Sequence, residues 1–174
     1  MYEQEQNNKL NTVTEANVYV YCSGEVGING ALGQCHSLNR TKPFVSDKVV
    51  AKGKTHAWYL GSLDQFKTIT IVYETKSTKP KNNTHPLTQF YYIQLKTVYK
   101  NMHGELVTRV TTVKKEWSGQ TNAIIQGFDE EAAAVYLARQ CVNKMLYEEQ
   151  KHIRQWIDQV LVKWAQLYAN YAKN

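Results

Sequence analysis

Phe128-Asp129-Glu130-Glu131-Ala132-Ala133-Ala134-Val135-Tyr136-Leu137-Ala138-Arg139 decides the fold class of this chain. Strand-forming residues dominate before it and helix-forming residues after it. Asp129 supplies an N-cap oxygen, Glu130 and Glu131 place negative charge on a first helical turn, and the alanines carry strong helix propensity. A helix is therefore predicted from Asp129 to Met145, with an alanine surface that permits close approach of a neighbouring element. A second helix is predicted from Glu148 to Ala172, because Ile153, Ile157, Val160, Trp164, Leu167 and Tyr171 recur at spacings of four and three. Lys151, Arg154, Asp158 and Lys163 occupy its other side, which faces solvent or a partner. The stripe is too short and too bulky for a coiled-coil seam, so packing on the first helix is the favoured reading.

Working back towards the N-terminus, the period changes to that of strands. Val18-Tyr19-Val20-Tyr21 can alternate in and out of a sheet. Phe66 to Glu74 reads as the clearest strand, with Ile69, Ile71 and Tyr73 on one face and Thr68, Thr70 and Val72 on the other. Phe90 to Tyr99 and Leu106 to Val113 form a predicted hairpin around Asn101-Met102-His103-Gly104, where Gly104 supplies a positive φ. Gly24, Gly27, Gly30 and Gly33 recur every third residue. Almost no proline accompanies them, and no Gly-Lys-Ser or Gly-Lys-Thr follows at phosphate-loop spacing, so they predict a bent strand or turns where backbone meets backbone. Gly61-Ser62-Leu63-Asp64 reads as a turn. Short strands without intervening helices predict an antiparallel β-sandwich followed by two α-helices, an α+β chain. The expected layout is a disordered or vector-derived stretch over residues 1–14, a β-sandwich over 15–118 and a helical portion over 119–174.

The 174 residues carry 43% hydrophobic side chains, enough for a buried core. Cys22, Cys35 and Cys141 form no CxxC pair and no secretory leader precedes them, so reduced thiols in the cytoplasm are expected. A net charge of +6 is compatible with nucleic acid, an acidic membrane or an acidic protein. The densest cationic set, Lys76, Lys79 and Lys81, lies in a stretch with Pro80 and Pro86 that reads as a loop, either simply solvated or facing a membrane or partner.

Catalytic patterns are not evident. His36, His56, His85, His103 and His152 include no HExxH motif and no pair at helical spacing. Cys35 and His36 are neighbours in an extended segment and point to opposite faces, which argues for a structural thiol rather than a nucleophile and base. Asp64 is explained by turn chemistry and Arg109 by an exposed strand face. Tyr91, Tyr92 and Tyr99 fit no RNA-binding strand pattern, and Lys and Arg are read as not interleaved with them on one strand face, so no nucleic-acid partner is expected.

Gly30-Ala31-Leu32-Gly33-Gln34-Cys35-His36-Ser37-Leu38 resembles a family segment Gly-Ala-Ile-Gly-Pro-Cys-x-Ser-Leu. Val45-Ser46, Trp58-x-x-Gly61-Ser62-Leu63-Asp64, Arg109-Val110-Thr111-Thr112 with Trp117, Phe128 to Val135, Ala138-Arg139 and Trp156-Ile157-Asp158 follow in the same order. The resemblance, running from Val18 to Tyr171, is to the Sec-twenty-three type inner-coat subunit of the COPII vesicle coat, the GTPase-activating partner of the Sar GTPase. Gln34 departs from the family proline.

The resemblance implies a fragment covering the sandwich and the start of the helical domain. It is expected to be no enzyme by itself, because the family's arginine finger belongs to a gelsolin-like domain. It is also expected to hold no cofactor, because the family's zinc belongs to a separate finger. Structural roles are implied for Gly30, Gly33, Cys35, Trp58, Asp64, Trp117, Phe128, Asp129 and Trp156, and membrane contact for Lys76, Lys79 and Lys81. Implied partners are the cargo-adaptor subunit, the Sar GTPase, the outer-coat subunits and an acidic membrane surface. The implied location is the cytosolic face of the endoplasmic reticulum membrane and of COPII vesicles. The cargo-adaptor paralogue and an unrelated nucleic-acid-binding sandwich are the alternatives. A fragment would expose a sheet edge, and apolar surface around Trp156 and Trp164.

Overall fold

The computed structural model of the chain describes residues 12–41, 43–76, 90–118 and 120–171. They belong to two compact units that divide between Glu116 and Trp117.

The first unit contains β1 (Val13–Cys22), β2 (Val26–Leu32), β3 (His36–Ser37), β4 (Ala57–Leu63), β5 (Thr70–Thr75), β6 (Phe90–Lys100) and β7 (Leu106–Glu116). A five-stranded sheet runs β3-β4-β1-β6-β7, and β2 and β5 form a two-stranded sheet. All the strand pairs are antiparallel. The expected sandwich is therefore present. Its core joins Ala16, Val18 and Val20 of β1, Ile28 and Ala31 of β2, Cys35, and Trp58 and Leu60 of β4. Alternation explains β1 from Ala16 on: Ala16, Val18 and Val20 enter the core, and Tyr19 and Tyr21 point the other way. The strand begins at Val13, ahead of the expected start at Val18.

Every residue of β2 is buried. The second covering comes from the segment after β3. Phe44 and Ser46 exchange backbone hydrogen bonds with Ile28, Val50 N–H donates to Asn29 O, and Lys52 N–H donates to Ala31 O. Gly30 has a φ of +155°, and a Cβ there would lie 1.9 Å from Val50 O. Only glycine admits that approach. The glycine spacing thus belongs to an irregular strand, with a register shift between Ile28 and Gly30.

The predicted hairpin is found, with continuous register from Phe90 opposite Glu116 to Lys100 opposite Leu106. Asn101 Oδ1 accepts from His103 N–H and Glu105 N–H, and Gly104 turns at φ +79°. Strand β7 is the outermost of its sheet, and all of it except Val107 is exposed. Strand β5 corrects the sequence reading, since it starts at Thr70 rather than Phe66. The reason is local: Asp64 Oδ1 accepts the N–H groups of Phe66 and Lys67, both at 2.8 Å, and holds them in a turn.

The second unit contains α1 (Thr121–Gln126), α2 (Glu130–Lys144) and α3 (Gln150–Tyr171). Helix α1 was not expected. It is six residues long and starts at Gln120 without a side-chain cap, so it shows neither an apolar period nor a start signal. Helix α2 begins as predicted, with Asp129 Oδ1 accepting Ala132 N–H at 2.9 Å. In α3, Ile153 is buried, and Trp164 meets the Phe128 ring edge to face at 5.4 Å. Leu167 is exposed, so the apolar stripe is not covered along its whole length.

Lys144 Nζ lies 2.6 Å from Glu148 Oε1 and 5.1 Å from the Trp156 ring centre. Trp156 and Trp164 are themselves half-buried, and apolar surface is uncovered beside Trp164, where Leu161, Val162 and Leu167 are exposed at 48–55%. The most exposed apolar side chains of this unit are Val142, Met145, Leu146 and Tyr147, at 64–82%. They follow from where α2 stops, because the last turn and the connection to α3 have no element above them among the described residues.

Candidate interaction site

The motif residues of the first unit meet in space. Strand β3 pairs with β4, placing His36 opposite Tyr59 and Ser37 opposite Trp58, and so joins the segment of Gly30, Gly33 and Cys35 to that of Trp58 and Asp64. Trp58 is fully buried, and its Nε1–H donates to Lys52 O at 2.8 Å. Cys35 is buried beside it in the core, whereas His36 is exposed, in keeping with a structural thiol. Trp117, Phe128, Asp129 and Trp156 belong to the second unit, where Asp129 caps α2, Phe128 packs on Trp164, and Trp117 is half-buried.

The juncture opens into a trough of about 820 Å³, bordered by Gly33, His36, Lys52, Tyr59, Phe66 and Lys67. Its wall carries a β-bulge. Ala16 pairs with Gly61 and Asn17 with Tyr59, so Leu60 is the extra residue of β4. A bulge leaves backbone groups without a ladder partner, and Lys67 Nζ supplies one by donating to Leu60 O and, at 3.1 Å, to Ser62 O. Asp64 and Lys67 therefore fix the trough's rim from both ends of the same turn.

The sequence reading singles out Lys76, Lys79 and Lys81 as the densest cationic set. Lys76 is half-buried next to Gly27, where an added Cβ would lie 2.8 Å from Lys76 Cε. Lys79 and Lys81 lie outside the described residues. A second set lies on the outer face of the five-stranded sheet. Strand β6 presents Tyr92, Lys96, Val98 and Lys100 on that face, by alternation from the core-facing Ile93 and Leu95. Lys96 Nζ lies 5.8 Å from the Tyr19 ring centre, and Lys114 Nζ 3.6 Å from that of Phe90. Tyrosine and lysine are thus interleaved on one strand face, which corrects the contrary reading. Sequence inspection had compared Tyr91, Tyr92 and Tyr99 together, although Tyr92 points away from the other two.

Electrostatics inside the sandwich are structural. Glu74 accepts from Ser46 Oγ and pairs with Lys48 Nζ at 3.0 Å; these contacts, the serine first, hold its carboxyl below the usual range. His56 packs between Tyr21 and Phe44 with Nδ1 3.1 Å from Val20 O, and burial lowers its pKa. Burial raises the Cys22 thiol, and burial followed by the Tyr73 hydroxyl pushes Tyr91 up to about 12. Among the described residues, no three His, Cys, Asp or Glu side chains gather as metal ligands. No helix among them is long and apolar enough to cross a membrane.

The Sec23/Sec24 beta-sandwich domain matches residues 13–118. The chain belongs to that family. The resemblance read from the residues agrees with the match, and the β-sandwich with its trough lies within the matched span. Two curated relatives from Arabidopsis thaliana extend the similarity. Protein transport protein SEC23 F is 36% identical over 160 residues, covering 89% of this chain and 20% of the relative. Protein transport protein SEC23 C is 30% identical over 158 residues, covering 88% of this chain and 21% of the relative. The chain thus spans about a fifth of the length of these relatives.

Proposed function

We propose that this chain is a scaffold portion of a COPII inner-coat subunit, of the type that stimulates the Sar GTPase and builds vesicles for transport from the endoplasmic reticulum to the Golgi. The observation that carries the reading is the family match over residues 13–118, joined to relatives whose names are those of SEC23 transport proteins. Because the family description covers Sec23 and Sec24 together, the cargo-adaptor paralogue is the second reading; the SEC23 names favour the first.

In this reading the described residues act by shape rather than catalysis, with hydrolysis and zinc binding assigned to other parts of the subunit. The subunit works in the cytoplasm, on the endoplasmic reticulum membrane and on COPII vesicles. It assembles there with the cargo-adaptor subunit, the Sar GTPase and the outer coat. Gly30, Gly33, Cys35, Trp58 and Asp64 hold the sandwich, and Trp117, Phe128, Asp129 and Trp156 hold the helical portion. Lys76, Lys79 and Lys81 contact acidic lipid.

The test is a chimera in which this chain replaces the matched segment of a SEC23 subunit. The chimera should join Sar and the adaptor on anionic liposomes and stimulate GTP hydrolysis. A folded chimera unable to assemble would overturn the reading. Triple Lys→Glu replacement at the three lysines should weaken flotation with the liposomes; unchanged flotation would remove them from the membrane-facing surface.

A further inference from the structure

We infer that the trough and the adjoining outer sheet face form a docking site for an acidic peptide segment with one aromatic or large apolar anchor. Phe66 is 67% exposed. Its backbone is held in place, because Asp64 binds its N–H and that of Lys67, while Lys67 reaches back to Leu60 O and Ser62 O. A large aromatic fixed in water loses little conformational freedom when a partner covers it, which is the character of an interface anchor. Tyr59, 38% exposed, borders the same trough. The volume of about 820 Å³ suits a few side chains of a peptide rather than a flat surface.

Charge selects the rest of the occupant. Two of the bordering residues are lysines, Lys52 and Lys67, against one carboxylate, Asp64, which is already bonded to two backbone N–H groups. The strand register then extends the positive surface: His36 lies opposite Tyr59, Tyr59 opposite Asn17, and Asn17 opposite Val98. Lys96 and Lys100 flank Val98 on the same face of β6; Lys100 already pairs with Glu15 at 2.7 Å, which leaves Lys96 as the cation that faces an occupant. Tyr59 and Val98 stand two strand spacings apart, about 10 Å. An extended peptide covers that distance in about three residues. The occupant therefore carries its apolar anchor in the trough and carboxylates about three residues away, over Lys96. A membrane matches the lysines but cannot fill a concave trough, and a nucleic acid, whose bases stack on exposed aromatics, is the competing occupant that the oligonucleotide arm of the test separates.

The site goes beyond the coat reading and does not depend on it. The experiment is fluorescence polarisation of the full chain with a fluorescein-labelled peptide, Gly-Phe-Gly-Ser-Glu-Asp-Glu, at low ionic strength. Saturable binding is expected, weakened about tenfold by Phe66→Ala and by Lys96→Glu, and by Phe→Ala in the peptide. Circular dichroism of both variants should match the parent, since Phe66 is exposed and Lys96 only half-buried. Absence of binding, or binding indifferent to Phe66→Ala and to the peptide's phenylalanine, would overturn the proposal. So would a polyuridine oligonucleotide or phosphatidylserine vesicle that binds more tightly than the peptide. None of these outcomes bears on coat assembly by the chimera, so the two ideas fail separately.

Discussion

The sandwich and the helical unit solve the same problem, covering apolar surface, to different extents. In the sandwich, Trp58, Ala16, Ala31 and Ala57 are fully buried and β2 is covered along its whole length. In the helical unit, Leu137, Gln140 and Ile153 are buried, while Val142, Met145, Leu146 and Tyr147 are exposed. The difference comes from how many layers each residue meets. Strand β2 has the core on one side and the segment from Phe44 to Lys52 bonded along it, whereas α3 meets only short stretches of α1 and α2. Stability should therefore be concentrated in the sandwich, with the helices opening at lower free energy.

The strongest way to break this comparison is Trp58→Ala. It should destabilise the sandwich by about 3–5 kcal/mol, through the cavity and through loss of the bond to Lys52 O. Trp164→Ala, at a half-buried site, should remove about half as much from the helical unit. Urea unfolding followed by hydrogen exchange, which resolves the two units, measures both. Equal losses at the two tryptophans would contradict the contrast.

A smaller effect is expected at Asp129. Asp129→Ala should cost the helical unit about 1 kcal/mol by freeing Ala132 N–H, with faster exchange in the first turn of α2 and unchanged protection in β2.

Acid should bring the smallest change, and it belongs to the sandwich. His56 has a folded pKa below its ordinary 6.5 and Glu74 one below its ordinary 4.5. For both groups the unfolded chain binds protons first as pH falls, so their stabilisation is complete above the ordinary value and is lost below it. The urea midpoint of the sandwich should decline below about pH 6.5 and again below about pH 4.5. His56→Gln should remove the first decline; a midpoint that instead rises on acidification would show the histidine charged in the folded sandwich.

The parts legible in the sequence were those with a local cause. The hairpin followed from alternation and Gly104, and the start of α2 from Asp129 and its acidic neighbours. Strand β2 was only half legible, since Gly27 and Gly30 erase alternation and their reasons lie far along the chain, in Lys76 for the first and the Val50 carbonyl for the second. The trough was not legible. It depends on the short β3–β4 ladder, and Lys67 finds its acceptors by folding a flexible stem over a bulge that exists only in three dimensions. The sheet's cationic face was hidden because neighbouring tyrosines on β6 diverge to opposite sides.

Lys144 makes two contacts from one ammonium, to the Glu148 carboxylate and to the Trp156 ring. Acetylating that nitrogen would remove its charge from both at once. The link between α2 and α3 would then lose its electrostatic ties while keeping its carbon framework, so a single neutralised atom would loosen two helices without creating a cavity.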